Sequence, residues 1–308
     1  MKIVIAGGTG FLGTALARHL AAQSHDITIL TRTASPATPA SAAFRQTTWV
    51  PDGTTGAWAA ALQGAGAIVN LAGESIAARR WSAEQKTRIR QSRVLATRSL
   101  VAAARETGVP TIVSGSAVGY YGDCGDETLT EASPAGHDFL ASVCRDWEHE
   151  AAAANTHSRV ALIRTGIVLD RRAGALQKMI TPFFLGAGGP IGSGRQYMPW
   201  IHLADWVRLA AFAVCSEGAR GPINATSPNP VTNAQFSKAL GHAMHRPSFV
   251  PAPAFALRLA LGEMAEALLL SGQRALPARA TDLGFTFRFA DLDAALANIF
   301  APARSRAI

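Results

Sequence analysis

Short apolar runs alternate with helix-forming segments along this 308-residue chain, and this alternation constrains the fold more than any other feature of the sequence. Most of the six runs are rich in valine and isoleucine, and they lie at residues 2–8, 26–32, 47–51, 67–73, 111–118 and 160–169. Strands of a parallel sheet that is covered by helices on both faces have this composition. Between the first two runs, Leu12, Leu16 and Leu20 recur at helical spacing. The alternation predicts a doubly wound, parallel α/β sheet.

The character of the sequence changes after about residue 170. A segment rich in glycine and proline is followed by a strand-like stretch and two helical stretches, at residues 185–199, 222–227, 232–245 and 253–270. We therefore predict a sheet domain over residues 1–169 and mainly a smaller C-terminal substrate lobe over residues 170–308. We predict that segment 200–216 returns to the sheet domain and contains a helix over 205–214 with Asp205 as its N-cap.

A glycine-rich turn joins the first apolar run to the first helical stretch. Its residues are Gly7, Gly8, Thr9, Gly10, Phe11, Leu12 and Gly13. At the spacing of Gly7, Gly10 and Gly13, each glycine has its own role. The first makes a tight turn, the second lets the backbone approach a pyrophosphate, and the third lets helix and strand pack closely. Strand, turn and helix in this order predict a Rossmann-type dinucleotide site; the alternative is a glycine-rich turn that holds no ligand.

Two further segments bear on the cofactor. Arg32 follows the second run, at the place where an acidic residue would accept a hydrogen bond from the ribose of NAD(H). A guanidinium matches a 2′-phosphate in charge and geometry, so we predict a preference for NADP(H); the alternative is an ordinary surface arginine. The residues that end the fourth run either lie beside the ribose and nicotinamide or form an ordinary turn: Asn70, Leu71, Ala72 and Gly73.

The chain is basic, with 29 lysines and arginines against 21 acidic residues and a net charge of +8. Arginine supplies most of the positive charge, and the densest stretch runs from Arg79 to Arg98. Because no nucleic-acid motif accompanies this stretch, we interpret it as the solvated face of a helix and predict no nucleic-acid partner.

The cysteines and the apolar segments exclude several classes of protein. Cys124, Cys144 and Cys215 have neither metal-ligand nor redox spacing, so we predict no metal and a reducing, cytoplasmic location. Charged residues interrupt the longest apolar stretch, 253–271, and the first run lacks the cleavage site of a signal peptide. We therefore predict no contact with a membrane.

With these motifs in order, the sequence resembles the short-chain dehydrogenase/reductase superfamily, in particular its extended epimerase/dehydratase branch. The resemblance covers nearly the whole chain and is carried by GGTGFLG, NLAG, SGSAVGYYG, RTGIVL, WIHLADWVRLAAFAV and GPINATSPNPVT. An atypical epimerase-family subgroup, whose bacterial members are often labelled cell-division-inhibitor-like, has segments similar to RWSAEQKTRIRQSRVLATRSLV and FLASVCRDWE.

The superfamily implies hydride transfer with a nicotinamide cofactor, in which a tyrosine exchanges a proton and a lysine four residues later lowers the pKa of that tyrosine. In the alignment that the resemblance gives, Leu140 occupies the tyrosine position and Cys144 the lysine position. No lysine occurs between Lys86 and Lys178. Leucine has no proton to exchange, and a thiol cannot replace a fixed positive charge. The sequence therefore lacks the standard pair.

Other residues are candidates for the proton transfer. Ser116 matches the serine of the family, and Tyr120 and Tyr121 follow the fifth run, where substrate is expected to approach. Either phenol is a candidate acid if Arg93 or Arg164 lowers its pKa; the alternative is that both phenols only line the pocket. Arg93 itself points either into the cleft or into solvent.

Three residues bear on whether the chain has a histidine base, a cysteine nucleophile or a nucleotide-sugar substrate. His202 lies alone on an apolar strand, so we interpret it as structural and not as a general base. The helical stretch 138–148 around Cys144 contains no histidine, although His137 directly precedes it, and we rank Cys144 as a weak candidate nucleophile. In the family's nucleotide-sugar enzymes an arginine binds the substrate diphosphate, and Met198 occupies that position here. The resemblance therefore argues against a nucleotide-sugar substrate.

Two functions follow from these observations. The first is an NADP(H)-dependent oxidoreductase or epimerase-like enzyme that acts on an unidentified small molecule. The second is a non-catalytic protein that senses NADP(H) or binds a partner, since loss of both members of the catalytic pair is compatible with binding alone. The resemblance also implies a homodimer formed through the helices that follow the fourth and fifth runs.

Overall fold

The computed structural model describes residues 1–33 and 44–301. Its strands are β1 (Lys2–Ala6), β2 (Asp26–Thr31), β3 (Arg45–Thr48), β4 (Ala65–Asn70), β5 (Thr111–Ala117), β6 (Thr128–Leu129), β7 (Arg159–Thr165), β8 (Ile167–Leu169), β9 (Tyr197–Met198), β10 (Trp200–His202), β11 (Gly221–Ala225), β12 (Val231–Thr232) and β13 (Arg274–Ala275). Its α-helices are α1 (Phe11–Ala22), α2 (Ala83–Thr107), α3 (Phe139–Ala152), α4 (Gly174–Phe184), α5 (Leu203–Cys215), α6 (Asn233–Met244), α7 (Ala254–Leu261), α8 (Glu263–Ala265), α9 (Ala278–Asp282) and α10 (Leu292–Phe300).

The largest sheet among the described residues has seven strands in the order β11-β7-β5-β4-β1-β2-β3. β1 pairs in parallel with β2 and β4, and the pairs β2–β3 and β4–β5 are parallel as well. The predicted doubly wound α/β fold is confirmed. Chain order reverses between β1 and β4, and ligands of such sheets bind at the carboxyl ends of the strands beside this reversal.

The first of two compact units consists of Met1–Ala117, Val143–Arg164 and Val207–Ile223. Its strands are apolar on both faces because helices cover both, and Ile3, Val4 and Ile5 in β1 are fully buried as a result. One core cluster joins the strands to α2 and includes Val4, Ile68, Leu100, Ile112 and Leu162.

The second unit consists of Val118–Ser142, Thr165–Trp206 and the chain from Asn224 onward. It contains three two-stranded sheets, in which β8 pairs with β10, β6 with β13, and β9 with β12. The first two pairs are parallel and the third is antiparallel. The members of its core cluster include Leu169, Phe183, Trp200, Phe236, Leu240 and Leu296.

This division of the chain differs from a single boundary at residue 169. Residues 118–142 precede that boundary but group with the second unit. The segment Val207–Ile223 groups with the first unit and overlaps the predicted return over 200–216. It carries most of α5 and the beginning of β11, and β11 is the last strand at one edge of the large sheet. The stretch at 222–227 therefore contributes to the large sheet and not only to the lobe.

The run at 160–169 is two strands, and the prediction of one was wrong. β7 belongs to the large sheet, whereas β8 pairs with β10. Gly166 separates them, and its amide donates to the carbonyl of Ala225 at 3.1 Å. A Cβ at Gly166 would lie 2.1 Å from the carbonyl oxygen of Pro199, so only glycine fits at this position. The run at 47–51 also ends early, because β3 stops at Thr48.

Asp205 does not cap α5 as predicted. The helix begins two residues earlier, at Leu203, and Asp205 lies in its first turn. The buried carboxylate accepts hydrogen bonds from the amides of Arg288 and Phe289, at 2.9 and 2.7 Å. It stabilises a distant loop, a role that local sequence does not reveal.

The stretch predicted as one helix over 253–270 is also divided. α7 ends at Gly262, whose φ of +63° interrupts the helix, and α8 and a π-helical turn over Glu266–Leu270 follow. Within the described residues, no helix combines the length and the apolar composition that crossing a membrane requires.

Arg159, at the start of β7, lets us predict a large effect on stability. Its buried guanidinium donates to the carbonyls of Ala213, Val214 and Ala219 at 2.6 to 2.9 Å, and two of these carbonyls belong to the last turn of α5. Arg159→Met leaves these acceptors without donors, so we expect the free energy of unfolding to fall by about 3 kcal/mol.

Urea denaturation followed by circular dichroism measures this loss. Arg45→Met is the matched control, because Arg45 forms an exposed ion pair with Asp26 at 3.6 Å, and we expect it to cost less than about 0.5 kcal/mol. Equal costs for the two variants would contradict the capping role of Arg159.

Candidate functional site

The glycine-rich turn after β1 forms a cradle that side chains would fill. Gly7 has a φ of +78°, and a Cβ on it would lie 2.6 Å from the carbonyl oxygen of Leu71. A Cβ on Gly13 would lie 2.2 Å from the carbonyl oxygen of Gly7, and one on Gly8 would lie 2.9 Å from the side chain of Ile29. These positions require glycine, which is the arrangement that brings backbone amides close to a pyrophosphate.

The amino terminus of α1 follows this cradle directly. Gly10 is the N-cap residue, and its amide donates to the carbonyl of Gly7 at 3.0 Å. Among the described residues, no side chain caps the helix and no acidic residue occupies its first turn. Thr9 and Gly10 are exposed, and Phe11 and Leu12 are half-buried. The amides and the positive end of the helix dipole are therefore directed at the place where an anion would bind.

Asn70 fixes the second turn, at the end of β4. Its buried side chain donates to the hydroxyl of Thr97 at 2.8 Å and accepts from the amide of Ala72 at 3.1 Å. The amide of Leu71 donates to the carbonyl of Ala6, the last residue of β1. The turns after β1 and β4 are thus joined by backbone contacts, and the predicted residues from Asn70 to Gly73 lie together beside the glycine cradle.

Arg32 is exposed directly after β2, and Thr31 before it donates through its hydroxyl to the carbonyl of Thr33. Because β2 is the parallel neighbour of β1, Arg32 lies at the same edge of the sheet as the glycine cradle. Residues 34–43, which follow, lie outside the described residues. Arg32 therefore places a positive charge at this edge of the sheet, on the side of β1 that faces away from β4.

Ser116 takes part in a buried hydrogen-bonded group. Its hydroxyl donates to Oε1 of Glu148 at 2.6 Å, and the guanidinium of Arg164 contacts both oxygens of this carboxylate at 2.8 Å. All three residues are less than a tenth exposed. The carboxylate, paired with the Arg164 guanidinium, holds the Ser116 hydroxyl in one orientation.

Glu148 has no role in the sequence predictions, which therefore miss this group. A signal was present, because the helical spacing of Phe139, Val143 and Trp147 marks the buried face of α3, and Glu148 lies one position from that face. The chain gave no indication that Arg164, on β7, is its partner.

Cys144, at the position of the family's lysine, is buried beside this group. Burial first, and then the neighbouring charge of Glu148, raises the pKa of its thiol to about 12. The thiol is therefore neutral at physiological pH and is neither a cation nor a reactive nucleophile. The Leu140 side chain packs against Gly119, whose Cβ would lie 3.4 Å from that of Leu140.

Arg93 is half-buried in the middle of α2 and does not extend into solvent as an ordinary helix arginine would. Its guanidinium carbon lies 5.3 Å from the centre of the Trp147 ring, and its Nη1 donates to the carbonyl of Ile89 at 2.9 Å. A Cβ on Gly73 would lie 3.1 Å from the guanidinium carbon. The side chain therefore lies against the turn that follows β4.

Tyr120 and Tyr121 have different surroundings within the second unit. Tyr121 is 1% exposed, and its hydroxyl donates to the side-chain oxygen of Asn224 at 2.7 Å. Tyr120 is half-buried and makes an edge contact with the Tyr121 ring, with the ring centres 5.4 Å apart.

His202 has the structural surroundings that its apolar strand predicts. Its Nδ1 accepts from the amide of Ala204 at 3.0 Å, and its ring lies 4.0 Å from that of Phe289. Burial lowers the pKa of the imidazole and favours its neutral form. In residues 1–33 and 44–301, no cluster of three histidine, cysteine, aspartate or glutamate side chains is placed to hold a metal ion.

Comparison with known proteins adds two family matches. The model of the NAD dependent epimerase/dehydratase family matches residues 3–225, and that of a domain of unknown function (DUF1731) matches residues 252–299. An epimerase family protein of Mycobacterium leprae (strain TN) is 43% identical over 296 residues, which cover 96% of this chain and 94% of that protein.

Two solved structures extend the comparison. The crystal structure of human epimerase family protein SDR39U1 (isoform 2) with NADPH has a TM-score of 0.89 and 33% identity, and covers 97% of this chain and 99% of that one. The UDP-glucose 4-epimerase of Thermus thermophilus in complex with NAD has a TM-score of 0.77 at 16% identity, and covers 98% of this chain and all of that one. The second similarity shows the fold alone.

The raised pKa of Cys144 predicts how the thiols react. In the native protein, we expect a disulfide reagent such as Ellman's reagent to modify the exposed Cys215 quickly and Cys144 only after unfolding. The absorbance of the released thiolate measures both phases. Cys215→Ser should remove the fast phase, whereas Cys144→Ser should leave it intact. Loss of the fast phase in Cys144→Ser would contradict the assignment.

Proposed function

Since this chain belongs to the NAD dependent epimerase/dehydratase family, we propose that it binds NADP(H) and catalyses an oxidoreductase or epimerase-like reaction on a small molecule. The observation that carries the proposal is the glycine cradle before α1. A Cβ at Gly7 or Gly13 would meet backbone atoms at 2.6 Å or less, so these positions keep the backbone open for a pyrophosphate. The human relative, whose crystal structure was solved with NADPH, supports the same cofactor.

Three parts of the cofactor would have binding residues in this chain: the pyrophosphate, the nicotinamide ribose and the 2′-phosphate. The amides at the start of α1 would bind the pyrophosphate, and the turn from Asn70 to Gly73 would hold the nicotinamide ribose. The Arg32 guanidinium would pair with the 2′-phosphate, which distinguishes NADP(H) from NAD(H). When bound, the nicotinamide supplies or accepts a hydride.

The residues proposed for proton transfer are Ser116 and Tyr120. The Ser116 hydroxyl donates to Glu148, so it would present its lone pairs as a preoriented acceptor to a substrate hydroxyl. Tyr120 is the phenol that we propose as the acid. The Tyr121 hydroxyl donates to Asn224, and we assign Tyr121 to the support of the loop.

A second function, NADP(H) sensing or partner binding without turnover, has one observation in its favour. The two positions of the family's catalytic pair hold Leu140 and the neutral, buried Cys144. A protein of this kind would bind the cofactor and change conformation with its redox state. The cytoplasmic location, the homodimer and the absence of nucleic-acid and membrane partners stay predictions.

Cofactor titration tests the first part of the proposal. We expect wild-type protein to bind NADPH more tightly than NADH, and Arg32→Ala to weaken NADPH binding by about tenfold or more with little effect on NADH, because a charge-assisted pair with the 2′-phosphate is lost. Gly13→Ala should weaken both cofactors, since its Cβ would collide with Gly7. Nicotinamide fluorescence measures the affinities.

Arg45→Ala is the matched control for charge, because Arg45 is an exposed arginine at the amino end of the neighbouring β3. If wild-type protein bound neither NADPH nor NADH, the proposed function would be wrong, and protein partners would become the subject of the search.

The two tyrosines are distinguished by turnover and stability. We expect Tyr120→Phe to lower the rate of NADPH oxidation with carbonyl compounds by about a hundredfold without changing NADPH affinity. Tyr121→Phe should lower the free energy of unfolding by about 1 kcal/mol, because Asn224 loses its donor. Tight NADPH binding with no turnover of any compound would instead favour the sensing function.

A further inference from the structure

Within the described residues, Arg93 lacks the carboxylate partner that three other arginines of α2 have. Arg88 pairs with Glu84 at 3.4 Å, Arg90 with Asp146, and Arg98 with Glu150 at 2.5 Å. Among the residues that the structure describes, no carboxylate lies within ion-pair distance of Arg93, and Glu74 contributes only a more distant electrostatic attraction.

Burial makes this arrangement costly for Arg93. Burial lowers the pKa of the guanidinium, and an arginine nevertheless keeps its charge in a protein. The ring of Trp147 and the carbonyl of Ile89 together satisfy only part of this cation. A half-buried cation whose remaining donors lack an acidic partner indicates an acceptor that comes from a ligand.

The position of Arg93 at the edge of the sheet indicates which part of a bound cofactor it would contact. Its guanidinium lies against Gly73, and Gly73 is exposed. Gly73 belongs to the turn after β4, which backbone contacts join to the glycine cradle after β1. The proposed 2′-phosphate site at Arg32 follows β2, on the opposite side of β1. A dinucleotide that spans this edge would therefore have its nicotinamide half on the side of Arg93.

We propose that Arg93 binds the nicotinamide ribose of NADP(H) and gives this half of the cofactor site its fixed positive charge. The inference rests on the proposed function. It assigns the charge to α2, whereas the two positions of the family's catalytic pair on α3 hold Leu140 and the neutral thiol of Cys144. Arg93 is thus a cofactor-binding residue, held in place by stacking on Trp147 and by the absence of a side chain at Gly73.

The test compares NADP⁺ with 2′,5′-ADP, which carries the adenosine and the 2′-phosphate but lacks the nicotinamide ribose. Arg93→Met keeps a long side chain against Trp147 and removes the charge and the donors. We expect it to weaken NADP⁺ binding by about tenfold or more and to change 2′,5′-ADP binding by less than about twofold. Arg93→Lys should recover part of the loss, because it keeps the charge but not the planar fork.

Two control variants show whether the effect on NADP⁺ binding is specific to Arg93. Arg88→Met removes a more exposed arginine from the same helix and should leave both affinities unchanged. Arg32→Ala should weaken both ligands, because both carry the 2′-phosphate. Calorimetry measures the affinities, and thermal unfolding of each variant, including Arg93→Lys, shows that it is folded at the temperature of the titration.

The outcomes separate this inference from the proposed function. If Arg93→Met bound NADP⁺ as tightly as wild type, or weakened both ligands equally, Arg93 would not contact the nicotinamide ribose, and cofactor binding itself would stand. If wild-type protein bound neither ligand, the proposed function would fail and the assignment of Arg93 with it. Selective loss of NADP⁺ binding, partly recovered by Arg93→Lys, supports the inference.

Discussion

The close approach of two backbone turns is the constraint on which the candidate site depends. The carbonyl oxygen of Leu71, after β4, occupies the space that a Cβ on Gly7, after β1, would need. The buried amide of Asn70 holds the β4 turn in this position through Thr97 and Ala72. The turns share one edge of the sheet because β1 and β4 are parallel neighbours, and this contact keeps the turn that ends at Gly73 close to the amides at the start of α1. The fold thus contributes backbone shape, and Arg32 is the side chain proposed to add selectivity to it.

The buried polar group beside this edge differs from the tyrosine and lysine pair of the superfamily. A lysine on α3 would supply one positive charge, whereas here the buried charges of Glu148 and Arg164 compensate each other and orient the hydroxyl of Ser116. Cys144 stays neutral beside them. The site therefore keeps a preoriented hydroxyl and lacks a cation at the family's lysine position on α3, and the fixed positive charge proposed for it belongs to Arg93 on α2.

Local patterns predicted the strands and the cradle well, because apolar runs and glycine spacing are set by neighbours within a few residues. They failed where a contact joins distant parts of the chain. Nothing near Gly166 reveals that Pro199 approaches it, so one run was taken for one strand. Aspartate is a common N-cap residue, yet the Asp205 carboxylate accepts hydrogen bonds from backbone amides more than eighty residues later in the chain. Arg93 could not be assigned to a face of the site until Trp147 and Gly73 were placed around it.

The interleaving of the two units has a consequence for how the chain is made. The first unit includes Val207–Ile223, so its sheet lacks its last strand until more than two thirds of the chain has been synthesised. Residues 118–142 emerge from the ribosome before that strand but belong to the other unit. Neither unit can fold to completion from one continuous piece of the chain, and the open edge of β7 stays exposed to other strands in the meantime. A fragment cut at residue 169 would carry that open edge permanently, which makes it prone to aggregate.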